Sequence, residues 1–149
     1  MKKINAFIPA AGFGERLRPI TDHIPKPLLP ILGKPIIEIV LNRLSCLSPD
    51  ITGINIHHCR QQMQAWAENS LYAGKIRLFH ENTILGTGGA LKNAESLLED
   101  SPVIVHNSDI LADIDLEELV NTHNKSDNVA TLAVHANERF NNVWIDERG

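Results

Sequence analysis

Ile4-Asn5-Ala6-Phe7-Ile8-Pro9-Ala10-Ala11-Gly12-Phe13-Gly14-Glu15-Arg16 is the stretch on which the reading of this chain turns. Residues 4–8 form a short apolar run of the kind that makes a buried strand. Gly12 and Gly14 follow directly. Two β-carbons are therefore missing where the strand ends, and the backbone is free to turn sharply and aim its N–H groups at an anion. Arg16 and, a little further on, Lys26 within Pro25-Lys26-Pro27 add two fixed positive charges. A glycine turn with two cations behind a first strand suits a polyphosphate.

Outward from that stretch, strand and helix patterns alternate. Further strands are predicted at 51–57, 75–80, 103–106 and 129–135. Between them, Ile37, Val40, Leu41 and Leu44 repeat at helical spacing, as do Met63, Trp66, Ala67 and Leu71. Ala90, Leu91, Ala94, Leu97 and Leu98 make a third stripe, and Leu116, Leu119, Val120 and His123 a fourth that opens on a capping box of Asp115 and Glu118. This alternation predicts an α/β fold with a mainly parallel sheet, covered by helices on both faces and joined by right-handed crossovers. Residues 25–35 are rich in proline but carry Leu28, Leu29, Ile31 and Leu32, and are expected to be an ordered extended segment. No linker, repeat or low-complexity segment interrupts residues 1–149, so a single domain is expected. Val143-Trp144-Ile145 reads as a last strand with no return strand after it. An apolar strand on an open edge is an aggregation hazard, so either another segment covers it or the sequence is the N-terminal part of a longer, C-terminally truncated protein. Trp144 at such an edge points to a homo-oligomer.

Composition narrows the partners. Hydrophobic residues make up 43% of 149 residues, enough for a core. The formal charge is −4 and no dense Lys/Arg stripe occurs, which argues against nucleic acid. Basic residues gather instead at the glycine turn (Arg16, Arg18, Lys26), which favours a small anionic ligand. Met1-Lys2-Lys3 looks like the start of a signal peptide, but the apolar run behind it is short and broken by Pro9 and Gly12. No run approaches a membrane span, so no membrane partner is expected. Cys46 and Cys59 make no Cys-x-x-Cys pair, which points to free thiols and a cytoplasmic location.

Three readings of the glycine turn compete. A dinucleotide fingerprint would need a third glycine where Leu17 stands, and a helix where Arg18-Pro19 follows. It would also need an acidic end to the second strand, which instead ends His57-His58-Cys59. A Walker loop would need Gly-Lys-Ser/Thr, which is absent. The third reading is a nucleotidyltransferase loop. Gly12-x-Gly14-x-Arg16-Leu17-x-Pro19-x-Thr21 followed by Pro25-Lys26-Pro27-Leu28 resembles the signature of the sugar-1-phosphate nucleotidylyltransferases. Leu85-Gly86-Thr87-Gly88-Gly89-Ala90-Leu91 resembles that family's nucleotide-binding segment, and Asn107-Ser108-Asp109 its metal-binding segment, with Ser108 in place of the common glycine. The blocks occur in the family's order, and the likeness covers essentially the whole chain.

The resemblance implies a fold of the nucleotide-diphospho-sugar transferase type, a Rossmann-like three-layer α/β/α sandwich. It implies transfer of a nucleoside monophosphate from an NTP to a sugar 1-phosphate, with Mg²⁺ as cofactor. Backbone around Ala10, Ala11, Gly12 and Gly14 would hold the phosphates; Arg16 and Lys26 would be catalytic, the first on the leaving pyrophosphate and the second between the reacting phosphates. Gly86, Thr87 and Gly88 would meet base and ribose, with Thr87 also able to cap, and Glu81 would edge that pocket. Asp109, after the strand at 102–106, would hold the metal. Arg18 is open between exposure and phosphate contact, while Asp113 and Asp115 read as turn and cap residues. His57-His58-Cys59 offers adjacent donors, but side chains alternate along a strand and no second pair at zinc spacing follows, so structural zinc is not expected. Trp66 and Trp144 read as core or interface residues. Members of the family are longer, and their later half supplies most sugar contacts and a second metal-binding aspartate. The 149-residue chain alone is therefore expected to be weak or inactive. A cytidylyltransferase acting on a non-sugar phosphate such as choline phosphate, and a non-catalytic nucleotide-binding regulator, are the rival readings; base and sugar stay open.

Overall fold

The computed structural model describes residues 3–99, 101–137 and 144. By contacts the chain divides into two compact units, Met1–Asp113 and Ile114–Gly149. The first contains strands β1 (Asn5–Ile8), β2 (Pro30–Ile31), β3 (Lys34–Pro35), β4 (Thr52–Ile56), β5 (Ile76–His80) and β6 (Val103–Val105). Its helices are α1 (Ile36–Leu44), α2 (Arg60–Asn69) and α3 (Gly86–Asn93), with short 3-10 turns between elements. The second unit holds α4 (Leu116–Asn124).

Four strands form one parallel sheet in the order β5-β4-β1-β6. Ala6 pairs with Thr52 on one side and Ile104 on the other, and Asn55 pairs with Phe79 across β4 and β5. The chain moves from β1 to β4 to β5 in one direction and then crosses back over β1 to reach β6. With right-handed crossovers, that reversal puts α1 and α2 on one face and α3 on the other. Every residue of β4 is buried, as the centre of a doubly covered sheet requires.

Helix α1 forms because Ile36, Ile37, Val40, Leu41 and Leu44 line one side of it, all buried. Trp66 in α2 donates from its indole nitrogen to Glu38 of α1 at 3.0 Å, linking the two helices. On the opposite face, Phe7 packs with Ala90, Ala94 and Leu97. Phe7 and Phe79 meet edge to face, with centroids 6.3 Å apart. Gly53 lies beside Phe7 in the register, and a β-carbon there would stand 2.9 Å from Phe79 and 3.1 Å from Phe7, with a still closer approach to Leu97. The missing side chain is what lets three large residues meet over the central strand.

Several expectations are corrected. Helix α2 ends at Asn69, so Leu71 lies outside it and is fully exposed. Side-chain bonds from Asn69 to the Ala65 carbonyl and from Ser70 to the Ala67 carbonyl replace the next helical bonds, and the Ser70 hydroxyl then takes the Tyr72 N–H. Leu98 follows a 3-10 turn and is exposed, unlike Leu97. Residues 25–35 are ordered, but they fold into a 3-10 turn (Lys26–Leu28) and the β2–β3 hairpin rather than one extended run.

In the second unit, the Asp115 carboxylate accepts from the Glu118 N–H at 2.9 Å, the cap expected from sequence. No strand forms at 129–135: Val129, Leu132 and Val134 are exposed, and no ladder partner exists among the described residues. A β-prone run without a partner strand gains neither hydrogen bonds nor burial. The predicted strand Val143-Trp144-Ile145 lies outside the described residues except for Trp144, whose side chain is exposed.

Gly53→Ala is expected to destabilise the fold by about 1–3 kcal/mol through overpacking. Urea unfolding followed by circular dichroism measures this; an unchanged midpoint would contradict the packing described.

Candidate active site

The loop after β1 begins where the strand ladder stops. The N–H of His106 reaches the Phe7 carbonyl at 3.0 Å, and Pro9 brings no N–H of its own. The next amide, that of buried Ala10, donates to Asn55 Oδ1 at 2.6 Å. Beyond it, among the described residues, the N–H groups of residues 11–16 meet no protein acceptor. Unpaired successive amides form a concavity for an anion.

Gly14 fixes the far side of that loop. Its φ of +66° and the 2.9 Å that would separate an added β-carbon from the Thr21 methyl both demand glycine. Thr21 is fully buried and donates from its hydroxyl to the Gly14 carbonyl at 2.9 Å. The Thr21 carbonyl in turn accepts from His58 Nε2 at 2.6 Å. Phe13 points to this supporting side, its ring edge-on to His57 and His58. Gly12 differs: a β-carbon there would meet nothing within 4 Å, so no protein atom demands glycine at that position.

The opposite wall is set by Glu81, 3% exposed. Its Oε1 accepts from Asn55 Nδ2 at 2.7 Å and its Oε2 from the Leu85 N–H at 3.0 Å. Its own N–H reaches the Ile56 carbonyl, and its carbonyl accepts from His57 Nδ1 at 2.9 Å. Helix α3 starts directly after Leu85 without a side-chain cap, so Thr87 is a first-turn residue and does not cap.

Asp109 supplies the third wall, in the loop after β6. It pairs with the Lys26 ammonium, and both side chains are about a quarter to a third exposed. Arg16 faces the cleft with no salt-bridge partner among the described residues. Arg18 instead pairs with Asp22 at 3.2 Å and does not line the cleft.

These walls enclose one open cleft of about 910 Å³ at the carboxyl ends of the strands, where ligands of open α/β sheets sit. Ala10, Ala11, Gly12, Gly14, Arg16 and Lys26 line it from the loop side. Glu81, Gly86, Thr87 and Asp109 line it from the others. Gly88, expected among them, does not line it: Gly86, Thr87 and Ala90 share the side of α3 that faces the cleft, and Gly88 falls on another side of the helix. Sequence reasoning does not single out Asn55, because one asparagine inside a strand carries no motif. Its polarity in the otherwise apolar run Ile54-Asn55-Ile56 is the signal that could have found it.

Comparison with known proteins adds to this geometry. The family described as nucleotidyl transferase matches residues 5–143. Bifunctional protein GlmU of Methanocaldococcus jannaschii is 33% identical over 144 residues, covering 97% of this chain and 33% of that protein. N-acetylmuramate alpha-1-phosphate uridylyltransferase of Neisseria meningitidis serogroup B is 42% identical over 116 residues, covering 75% of this chain and 49% of that protein. Among solved structures, UDP-glucose pyrophosphorylase complexed with UDP-glucose is 25% identical with a TM-score of 0.68, covering 84% of this chain and 54% of that one. The chain thus spans about a third to a half of the length of the relatives it matches.

The support behind the loop includes Cys59, whose sulfur lies 3.3 Å from His58 Nε2. Burial, and secondarily the negative charge of Asp22, raise its thiol pKa above the ordinary value. A raised pKa leaves less thiolate at neutral pH, and thiolate is the reactive form. Iodoacetamide at neutral pH is expected to label exposed Cys46 first, with Cys59 catching up only as pH rises. Peptide mass spectrometry against time checks the order; faster labelling of Cys59 would contradict it.

Proposed function

Because the chain belongs to the nucleotidyl transferase family, we propose that it binds a nucleoside triphosphate in this cleft and serves transfer of its nucleoside monophosphate to a sugar 1-phosphate. The observation that carries this reading is the meeting of unpaired loop amides, Arg16 and the Lys26–Asp109 pair in one cleft. UTP is the proposed donor, since the Neisseria relative is named a uridylyltransferase and the UDP-glucose pyrophosphorylase structure holds UDP-glucose.

In the proposed reaction a phosphate oxygen of the sugar phosphate attacks the α-phosphorus, and pyrophosphate leaves. Both reactants are anions, so positioning and charge neutralisation carry the rate. The loop amides hold the triphosphate. The Arg16 guanidinium forks onto the phosphates that become pyrophosphate and stabilises charge as the bond breaks. Lys26 has three ammonium protons. One engages Asp109, which keeps the side chain facing the cleft, and the others serve phosphate oxygens of the two reactants.

Asp109 is the residue that would hold Mg²⁺. Among the described residues no three His, Cys, Asp or Glu side chains cluster as a metal cage. A single carboxylate in a cleft of this kind fits magnesium, an ion commonly held by one or two carboxylates together with phosphates. Bound there, the ion would supply charge neutralisation to the reacting phosphates. A chain spanning a third to a half of its relatives is proposed to bind nucleotide and to be weak or inactive in turnover by itself.

Thermal unfolding with UTP, GTP, CTP, dTTP or ATP plus Mg²⁺ tests the reading. A hundredfold excess over Kd stabilises by about 2.7 kcal/mol, a shift of several degrees. Arg16→Ala and Lys26→Ala are expected to abolish most of that shift and to lower any pyrophosphate release about 10²–10³-fold. If no triphosphate shifts the transition, or both variants respond as the wild type does, the proposal fails.

A further inference from the structure

The Asn55–Glu81 pair has no part in the phosphate contacts proposed above, yet it touches both halves of the cleft. Asn55 is 4% exposed and Glu81 3%. Asn55 Oδ1 accepts from the Ala10 N–H, the first amide of the phosphate-facing loop, and its Nδ2 donates to Glu81. The other oxygen of Glu81 accepts from the Leu85 N–H, immediately before Gly86 and Thr87. One line of hydrogen bonds therefore runs Leu85–Glu81–Asn55–Ala10 beneath the cleft, across strands far apart in sequence.

Each member is fully committed. The amide oxygen and nitrogen of Asn55 are both used, and each carboxylate oxygen of Glu81 has a donor. The backbone of Glu81 is fixed as well, by the Ile56 carbonyl and the His57 ring. In so buried a place, a donor left without an acceptor is costly, and the loop would shift to find one.

Resting on the proposed function, we propose that Asn55 and Glu81 are positioning residues. They set the span between the phosphate loop and the Leu85–Gly86 turn, and so hold the cleft at the length of a nucleoside triphosphate. Affinity for the nucleotide then depends on a side-chain pair acting through the Ala10 and Leu85 amides, with no phosphate contact of its own.

The donors and acceptors allow a reciprocal exchange. Asn55→Asp alone sets two buried carboxylates against each other. Glu81→Gln alone leaves one carbonyl-type oxygen for two facing donors. Combining Asn55→Asp with Glu81→Gln restores the count. The carboxylate now at position 55 accepts from the Ala10 N–H and from the amide now at position 81, whose oxygen accepts from the Leu85 N–H.

Calorimetric titration with UTP, GTP and CTP plus Mg²⁺, alongside thermal unfolding, is the test. Each single variant is expected to bind its preferred triphosphate about tenfold more weakly. The double variant is expected to return to within about threefold of wild type, with the order of preference among the triphosphates unchanged. A folded double variant that binds as weakly as the singles, or singles that bind like wild type, overturns the proposal. So does a changed order of preference that persists in the double variant, since Glu81 would then be reading the base directly. If a single variant does not fold, the double variant alone decides by the same comparison. Wild-type protein that binds no triphosphate instead overturns the proposed function, and this inference with it.

Discussion

A parallel strand that ends in a proline leaves a problem just beyond it, because the next amide is still buried and has no ladder partner. Here that amide belongs to Ala10, and Asn55 in the neighbouring strand accepts it. Buried N–H groups without acceptors are rare because they forfeit hydration for nothing. The requirement places a polar side chain in the fully buried β4. Its own amide hydrogens then need an acceptor, which Glu81 supplies, and the second oxygen of Glu81 draws in Leu85. The floor of the cleft follows from that sequence of obligations.

Sheet order decides what stands around this floor. With β1 central and the chain turning back across it to reach β6, the loops after β1 and β6 diverge and leave a crevice between them. The Lys26–Asp109 ion pair bridges that crevice. Partly exposed, the pair adds little to stability. Its consequence is local: in a chain of formal charge −4, it holds an ammonium and a carboxylate at the mouth of a loop whose amides lack protein partners. Away from the cleft, buried Thr21 and the partly exposed His58 and Phe13 support the loop without lining the cleft.

Much of this was legible along the chain. The strands at 4–8, 51–57, 75–80 and 103–106 and three of the helices appear where apolar spacing put them, trimmed at their ends, whereas α3 stops at Asn93 and leaves Ala94, Leu97 and Leu98 of its stripe to a 3-10 turn and its flanks. The run at 129–135 had the composition of a strand and no partner, and composition cannot supply a partner. Leu71 matched a helical period that local Asn and Ser bonds had already ended.

Within the site, the sequence by itself determined that a glycine turn, two cations and a later carboxylate exist in that order, because glycine permits what other residues forbid and charge is a property of the side chain. Only the tertiary structure decided which way each one faces. Gly14 is demanded by Thr21, whereas Gly12 is demanded by no protein atom. Arg16 faces the cleft while Arg18, two residues away, pairs with Asp22. Asn55 and Glu81 join residues separated by two crossovers. Direction and partnership depend on what the folded chain brings alongside, and a linear sequence contains the groups without containing their neighbours.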